Sequence, residues 1–366
     1  MKRKVPVFLL VFLIISCILI AGCISQPEET SSPSEETLPY ADKFIELHAH
    51  LDGSITPDIA IKLTKLKNTS LTQEDNRKLI RDFSYPGTYR NLDEFLKCFN
   101  RPLSLLQTKE EISEGVYLVL EDMKANGVIY AELRFAPQFH TRKGLTQEEA
   151  VLAALEGQHR STLKSNLILC LMRGEENTAE NLETIEVAKK YLVEDNGVTA
   201  IDLAGAEARY ATKDFKQFFE LAKMYGIPFT IHAGEAAGAE SVIQAVELGA
   251  ARIGHGVRIF EDESVVQLVK DKGITLEMCP TSNRLTHAVE DMSKYPLMQY
   301  LENGLKVTIN TDDLAIVKTT LAGEFRYMEK NFGLTAEQER TLLQNAVDAA
   351  FTTDEVKEEL RIELGL

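Results

Sequence analysis

The chain has 366 residues, of which 44% are apolar and 26% charged, a balance that excludes a fibre or a largely disordered chain. Its net charge of −16 argues against a nucleic-acid binder, whose phosphates need Lys and Arg partners, and weakly against a highly phosphorylated substrate. The length allows one large α/β domain or two smaller ones.

The chain opens as an export segment. A basic MKRK precedes an apolar run over 5–22 and small residues that end at Cys23. The stretch 20–23 (IAGC) resembles the lipobox of prokaryotic lipoproteins. That resemblance implies a signal peptide over 1–22 and lipidation of Cys23. The alternative is an uncleaved membrane helix, because the run is barely long enough to span. Either way the basic cluster stays cytoplasmic and the rest is exported. The expected location is the cell membrane, lipid-anchored, with the folded part on the extracytoplasmic side. Residues 23–40 read as a flexible acidic tether and 41–366 as the folded domain. Cys98, Cys170 and Cys279 are too widely spaced for a disulfide framework, and the first two read as small buried hydrophobes.

Eight apolar runs then recur: 44–50, 128–135, 167–172, 198–204, 228–233, 251–255, 274–279 and 306–311. Helical patterns separate them, at 145–165, 178–194, 214–226 and 240–249 among others. Alternating strands and helices predict a parallel sheet, and eight units predict a (β/α)₈ TIM barrel. The long gap 52–127 predicts extra helices after the first strand, such as 91–107. Helices at 335–349 and 353–363 are expected outside the barrel. An open doubly wound sheet is the other topology, weakened by the lack of a Gly-rich loop after the first strand.

The chemically capable residues gather where the predicted strands end. Strand 1 ends in His48, His50 and Asp52, strand 4 in Asp202 and Gly205, and strand 5 in His232 and Glu235. Strand 6 ends in His255, strand 7 in Cys279, and strand 8 runs into Asp312 and Asp313. A parallel barrel brings these ends to one mouth, where barrel enzymes carry their active sites. Three imidazoles and a carboxylate suit Zn²⁺, with one position left for water. Adjacent strand residues point to opposite sides, so Asp312 and Asp313 are expected to do different jobs. His140, His159 and His287 read as ordinary residues.

These stretches resemble the adenosine deaminase family, within the wider amidohydrolase barrels. The matching segments are HAHLDGS (48–54), AELRFAP (131–137), DLAG (202–205), HAGE (232–235), RIGHGVR (252–258), CPTSN (279–283) and NTDD (310–313). The resemblance implies one zinc ion on His48, His50, His232 and Asp312. It places Glu235 by purine N1, His255 by the attacking water, Asp313 by N7 and the Gly205 N–H by N3. Asp52 would accept from the ribose 5′-hydroxyl, and Phe95, Leu96 and Phe99 would cover the pocket. Asp at 52 favours adenosine or 2′-deoxyadenosine. Adenine-acting relatives tend to carry Glu there and nucleotide-acting ones Asn. The competing reading of Asp52 is a helix cap. Leu314 after NTDD and Ala206 after DLAG depart from the family's Pro and acid, which bears on fine substrate preference. The other readings are an adenine or modified-adenine deaminase and a non-catalytic nucleoside-binding lipoprotein. The second would not need Glu235 and His255 beside intact metal ligands. A two-metal amidohydrolase is weakened because neither 167–174 nor 200–207 holds a Lys.

Overall fold

Each apolar run becomes a parallel strand in the computed structural model, which describes residues 38–67, 70–85 and 87–366. The strands are β1 Phe44–His50, β2 Val128–Phe135, β3 Lys164–Met172, β4 Val198–Ala204, β5 Thr230–Ala233, β6 Arg252–His255, β7 Thr275–Met278 and β8 Lys306–Ile309. They pair in sequence order as two four-stranded sheets, β1–β4 and β5–β8. Single bridges close the ring: Ile201 to Phe229 on one side and Ala49 to Asp312 on the other. The expected barrel therefore forms. The apolar run 5–22, Cys23 and the tether to residue 37 lie outside the described residues. Among the described residues no helix is long and apolar enough to cross a membrane.

Strand alternation sorts the side chains into two sets. Leu47, Leu133, Ile231, Ile253, Leu276 and Val307 are fully buried in the main apolar core with the surrounding helices. The alternate residues Glu46, His48, Arg134, Arg252, Glu277 and Thr308 are buried as well, and they bond one another or nearby backbone. The barrel interior is thus polar, which is stable only because its charges meet partners.

Among the described residues five α-helices separate β1 from β2, including Leu92–Phe95 and Asn100–Ser104. The expected helix 91–107 is broken into these two short pieces with a tighter turn, Leu96–Phe99, between them. Pro102 lacks an N–H to offer the carbonyl four residues back. At the C-terminus, Ala336–Ala349 packs on β8 and β1, and Asp354–Leu364 packs on it. Helices Lys109–Ala125 and Gln147–Arg160 pack closely because Gly157 meets the Ser113 backbone. A Cβ at 157 would stand 2.2 Å from Ser113 O. Gly157→Ala is therefore expected to lower stability by about 1–3 kcal/mol in denaturant unfolding, despite alanine's better helix propensity.

Candidate active site

The C-terminal ends of the strands surround a cavity of about 540 Å³. His48 and His50 leave β1 two residues apart and so face the same side. His232 arrives from β5, and Asp312 lies three residues beyond the end of β8. One donor atom from each of the four lies within 4.8 Å of all the others. His48 Nε2 and His50 Nε2 stand 3.3 and 3.4 Å from Asp312 Oδ1. His50 Nε2 is 3.3 Å from His232 Nε2.

Two buried carboxylates hold the far side of this cluster. Glu277 Oε2 lies 2.7 Å from His48 Nδ1, and Asp202 Oδ2 lies 2.8 Å from His232 Nδ1. Each contact turns the ring's Nε2 inward, as for a histidine ligand oriented by an outer carboxylate. Burial alone would raise the Asp202 carboxyl, yet His232 and Arg134 hold it below its ordinary range. Arg134 and Arg252 do the same for Glu277. Arg134 donates to Asp202, to Glu277 and to the Leu47 carbonyl, and Arg252 to Glu277 and Glu132. Two guanidinium groups thus face three carboxylates, an acidic excess beneath the histidines.

The donor set fits a divalent ion. His48 Nε2 is fully buried with no hydrogen-bond partner, and the neighbours it faces are the other three candidate ligands and His255. Asp312 takes a positive φ of 63°, unusual for a residue with a Cβ, and Ser282 donates to its Oδ2 at 2.7 Å. Such strain concentrates at functional positions.

Glu235 and His255 face the same space, 3.5 Å apart from Oε2 to Nε2. Burial, reinforced by Asp312, pushes the Glu235 carboxyl up to about 8. Burial pushes the His255 imidazole down to about 4, leaving it neutral at pH 7. Thr286 donates to Glu235 Oε1 at 2.8 Å, and Asn283 meets His255 Nδ1 at 3.0 Å, backed by the Tyr295 hydroxyl.

Every residue expected at the substrate lines the cavity: Asp52, Gly205 and Asp313 at its wall, and Phe95, Leu96 and Phe99 over it. Asp313 reaches it because β8 ends at Ile309, so strict strand alternation no longer separates Asp312 from Asp313. Burial and the adjacent Asp312 hold the Asp313 carboxyl well above its ordinary range. Asp52 is not the helix cap: Thr56 Oγ1 accepts from the Ile59 N–H at the head of Pro57–Lys67. Cys170 is buried as expected, whereas Cys98 is only half-buried.

Sequence reasoning missed Glu207, Glu277, Arg134 and the 282–286 hydroxyl and amide groups as site residues. For Arg134 and Glu277 a signal existed. An ionisable residue inside an apolar strand run must meet a partner in the interior.

A parallel barrel with a His-x-His pair, a third histidine and an aspartate at its C-terminal mouth defines an amidohydrolase-type enzyme. The family model for adenosine deaminase matches residues 44–365. The adenosine deaminase of Haemophilus ducreyi is 45% identical over 322 residues, 86% of this chain and 94% of that protein. That of Clostridium botulinum is 40% identical over 322 residues, 87% of this chain and 96% of that protein. Among solved structures, an adenine deaminase from Arthrobacter aurescens is similar with a TM-score of 0.78 at 27% identity, covering 89% of this chain and 98% of that one. The chain belongs to the adenosine deaminase family and is a deaminating hydrolase.

Proposed function

We propose that the protein converts adenosine and 2′-deoxyadenosine, with water, to inosine or deoxyinosine and ammonia, using one Zn²⁺. The observation that carries this reading is Glu235, a buried carboxyl 3.5 Å from His255 beside a cluster of three histidines and an aspartate. His48, His50, His232 and Asp312 would hold the ion, a nitrogen-rich set that suits zinc. Its chemistry when bound is the activation of a water near neutral pH.

The purine offers acceptors at N1, N3 and N7, and the cavity offers a donor for each. Glu235 gives its proton to N1, which prevents negative charge from building up on the ring as water attacks C6. Asp313, its carboxyl pushed well above the ordinary range by burial and Asp312, serves N7, and the Gly205 N–H donates to N3. His255, neutral and oriented by Asn283, holds or accepts the proton of the attacking water. Phe95, Leu96 and Phe99 cover the base and keep bulk water out.

Asp52 selects the nucleoside. Burial pushes its carboxyl up to about 6, so it remains a carboxylate at pH 7. It accepts from a 5′-hydroxyl and repels a 5′-phosphate. Asp52→Ala is expected to raise KM for adenosine about 10- to 100-fold in steady-state kinetics, the worth of a hydrogen bond to a charged group. An unchanged KM would leave Asp52 a structural place only. The substrate reading itself is tested by ammonia release from adenosine, 2′-deoxyadenosine, adenine and AMP. Highest kcat/KM for the two nucleosides supports it, and a preference for adenine or AMP overturns it.

The export segment and Cys23 support a lipid-anchored enzyme on the extracytoplasmic side of the cell membrane. The motif carries that part of the proposal, and radiolabelled lipid incorporation that is lost in Cys23→Ala tests it.

A further inference from the structure

The stretch that carries Glu235 is held by a residue with no part in the chemistry. After β5 the chain turns at Gly234, with φ 73°, and four successive N–H groups point at one carboxylate. Gly234 N donates to Glu207 Oε1 at 2.6 Å. Glu235, Ala236 and Ala237 N donate to Glu207 Oε2 at 3.0, 2.7 and 3.0 Å. Successive amides arranged this way form an anion-binding nest, filled here by a side chain of the same protein. Glu207 is buried, and the cation that acts on its charge is the buried Arg173, without a direct hydrogen bond between them. The opposite face of the stretch is held too. Arg173 donates to His232 O, Arg258 N–H to Gly234 O, and the Arg258 side chain to Ala236 O.

Beyond its own backbone, Glu235 is held by Thr286 and faces His255. The aim of its carboxyl therefore depends on where the main chain at 234–237 sits, and Glu207 fixes that. Glu207 lies two residues after Gly205 on the same loop, so one loop carries the N3 donor and anchors the residue that serves N1. Two residues further on, Arg209 makes two bonds to Asp93 on the helix Leu92–Phe95 over the cavity.

We propose that Glu207 is a positioning residue for proton delivery, holding the 234–237 main chain so that Glu235 is aimed at the purine ring. This rests on the reading of Glu235 as proton donor. A glutamine at 207 has the same shape but only one acceptor oxygen, and its NH₂ would face an N–H. At least one of the four amides then loses its acceptor, and the turn must shift.

The test is a double-mutant cycle in the full-length protein, with metal content and thermal midpoint measured on each variant. Glu207→Gln is expected to lower kcat about 30- to 100-fold, as for misplacement of a reacting group. KM should stay within about threefold and metal content should match wild type. In a Glu235→Gln background the same change should cost under about twofold, because the group it positions is gone. Glu207→Asp keeps the charge on a shorter arm and should fall between wild type and Glu207→Gln. Should Glu207→Gln not fold, Glu207→Asp carries the same cycle. Wild-type kcat in Glu207→Gln, or equal losses in both backgrounds, overturns the inference. Wild-type turnover in Glu235→Gln alone would instead overturn the role of Glu235.

Discussion

Glu235→Gln is expected to lower kcat by about 10²- to 10⁴-fold, the usual contribution of a positioned general acid, with metal content unchanged. Glutamine can still donate a hydrogen bond to a ring nitrogen, but it has no proton to transfer. Substrate binding should therefore survive better than turnover. The pH dependence follows from the same burial. The Glu235 carboxyl is pushed up to about 8, so the acid form dominates at neutral pH and is lost as pH rises through that value. Wild-type kcat/KM should fall on its alkaline side near pH 8, and the variant should lack that limb. Stopped-assay profiles of both proteins check this. A variant with wild-type turnover, or with the same alkaline limb, would assign the proton to another group.

Arg134→Met is expected to destabilise the fold by about 3–5 kcal/mol, the cost of leaving buried charges without their partner. Arg134 is fully buried and donates to Leu47 O at 2.6 Å, Glu277 Oε2 at 2.9 Å and Asp202 Oδ2 at 3.1 Å. Removing the guanidinium leaves Asp202 with no guanidinium partner and Glu277 with Arg252 alone in the barrel interior. The same two carboxylates orient His48 and His232, so the loss reaches the cavity as well. Metal affinity should fall about 10- to 100-fold in those molecules that remain folded. Urea unfolding and metal titration measure the two effects separately. An unchanged unfolding midpoint would mean that the interior charges are balanced without Arg134.

The barrel was legible because β1, β2 and β4 are buried almost throughout and so read as short, mostly apolar runs broken by a few polar residues. Their ends coincide with the expected ones. The predicted runs overshoot β5 and β6 at their N-terminal ends and β7 at both ends, and the one at β8 runs on into the site-bearing loop from Asn310, whose first residues also suit strands. Most of the site was legible for a related reason. Polar residues at strand ends are few, and a closed barrel has one mouth to which they converge. The nest around Glu207 was not legible. Its partners lie 27 to 30 residues away, and nothing local marks a glutamate as the acceptor of four amides. Asp313 lines the cavity and Asp312 alone joins the histidine cluster, so the two have different places as expected, although both lie beyond the end of β8, where strand alternation no longer sets their directions.

The most direct test of the account is to strip the enzyme of metal and follow ammonia release from adenosine as Zn²⁺ is returned. The stripped protein should show no turnover, recovery should be linear in added zinc, and the plateau should come at one equivalent per chain. Full turnover without metal, or a plateau that requires two equivalents, would contradict it.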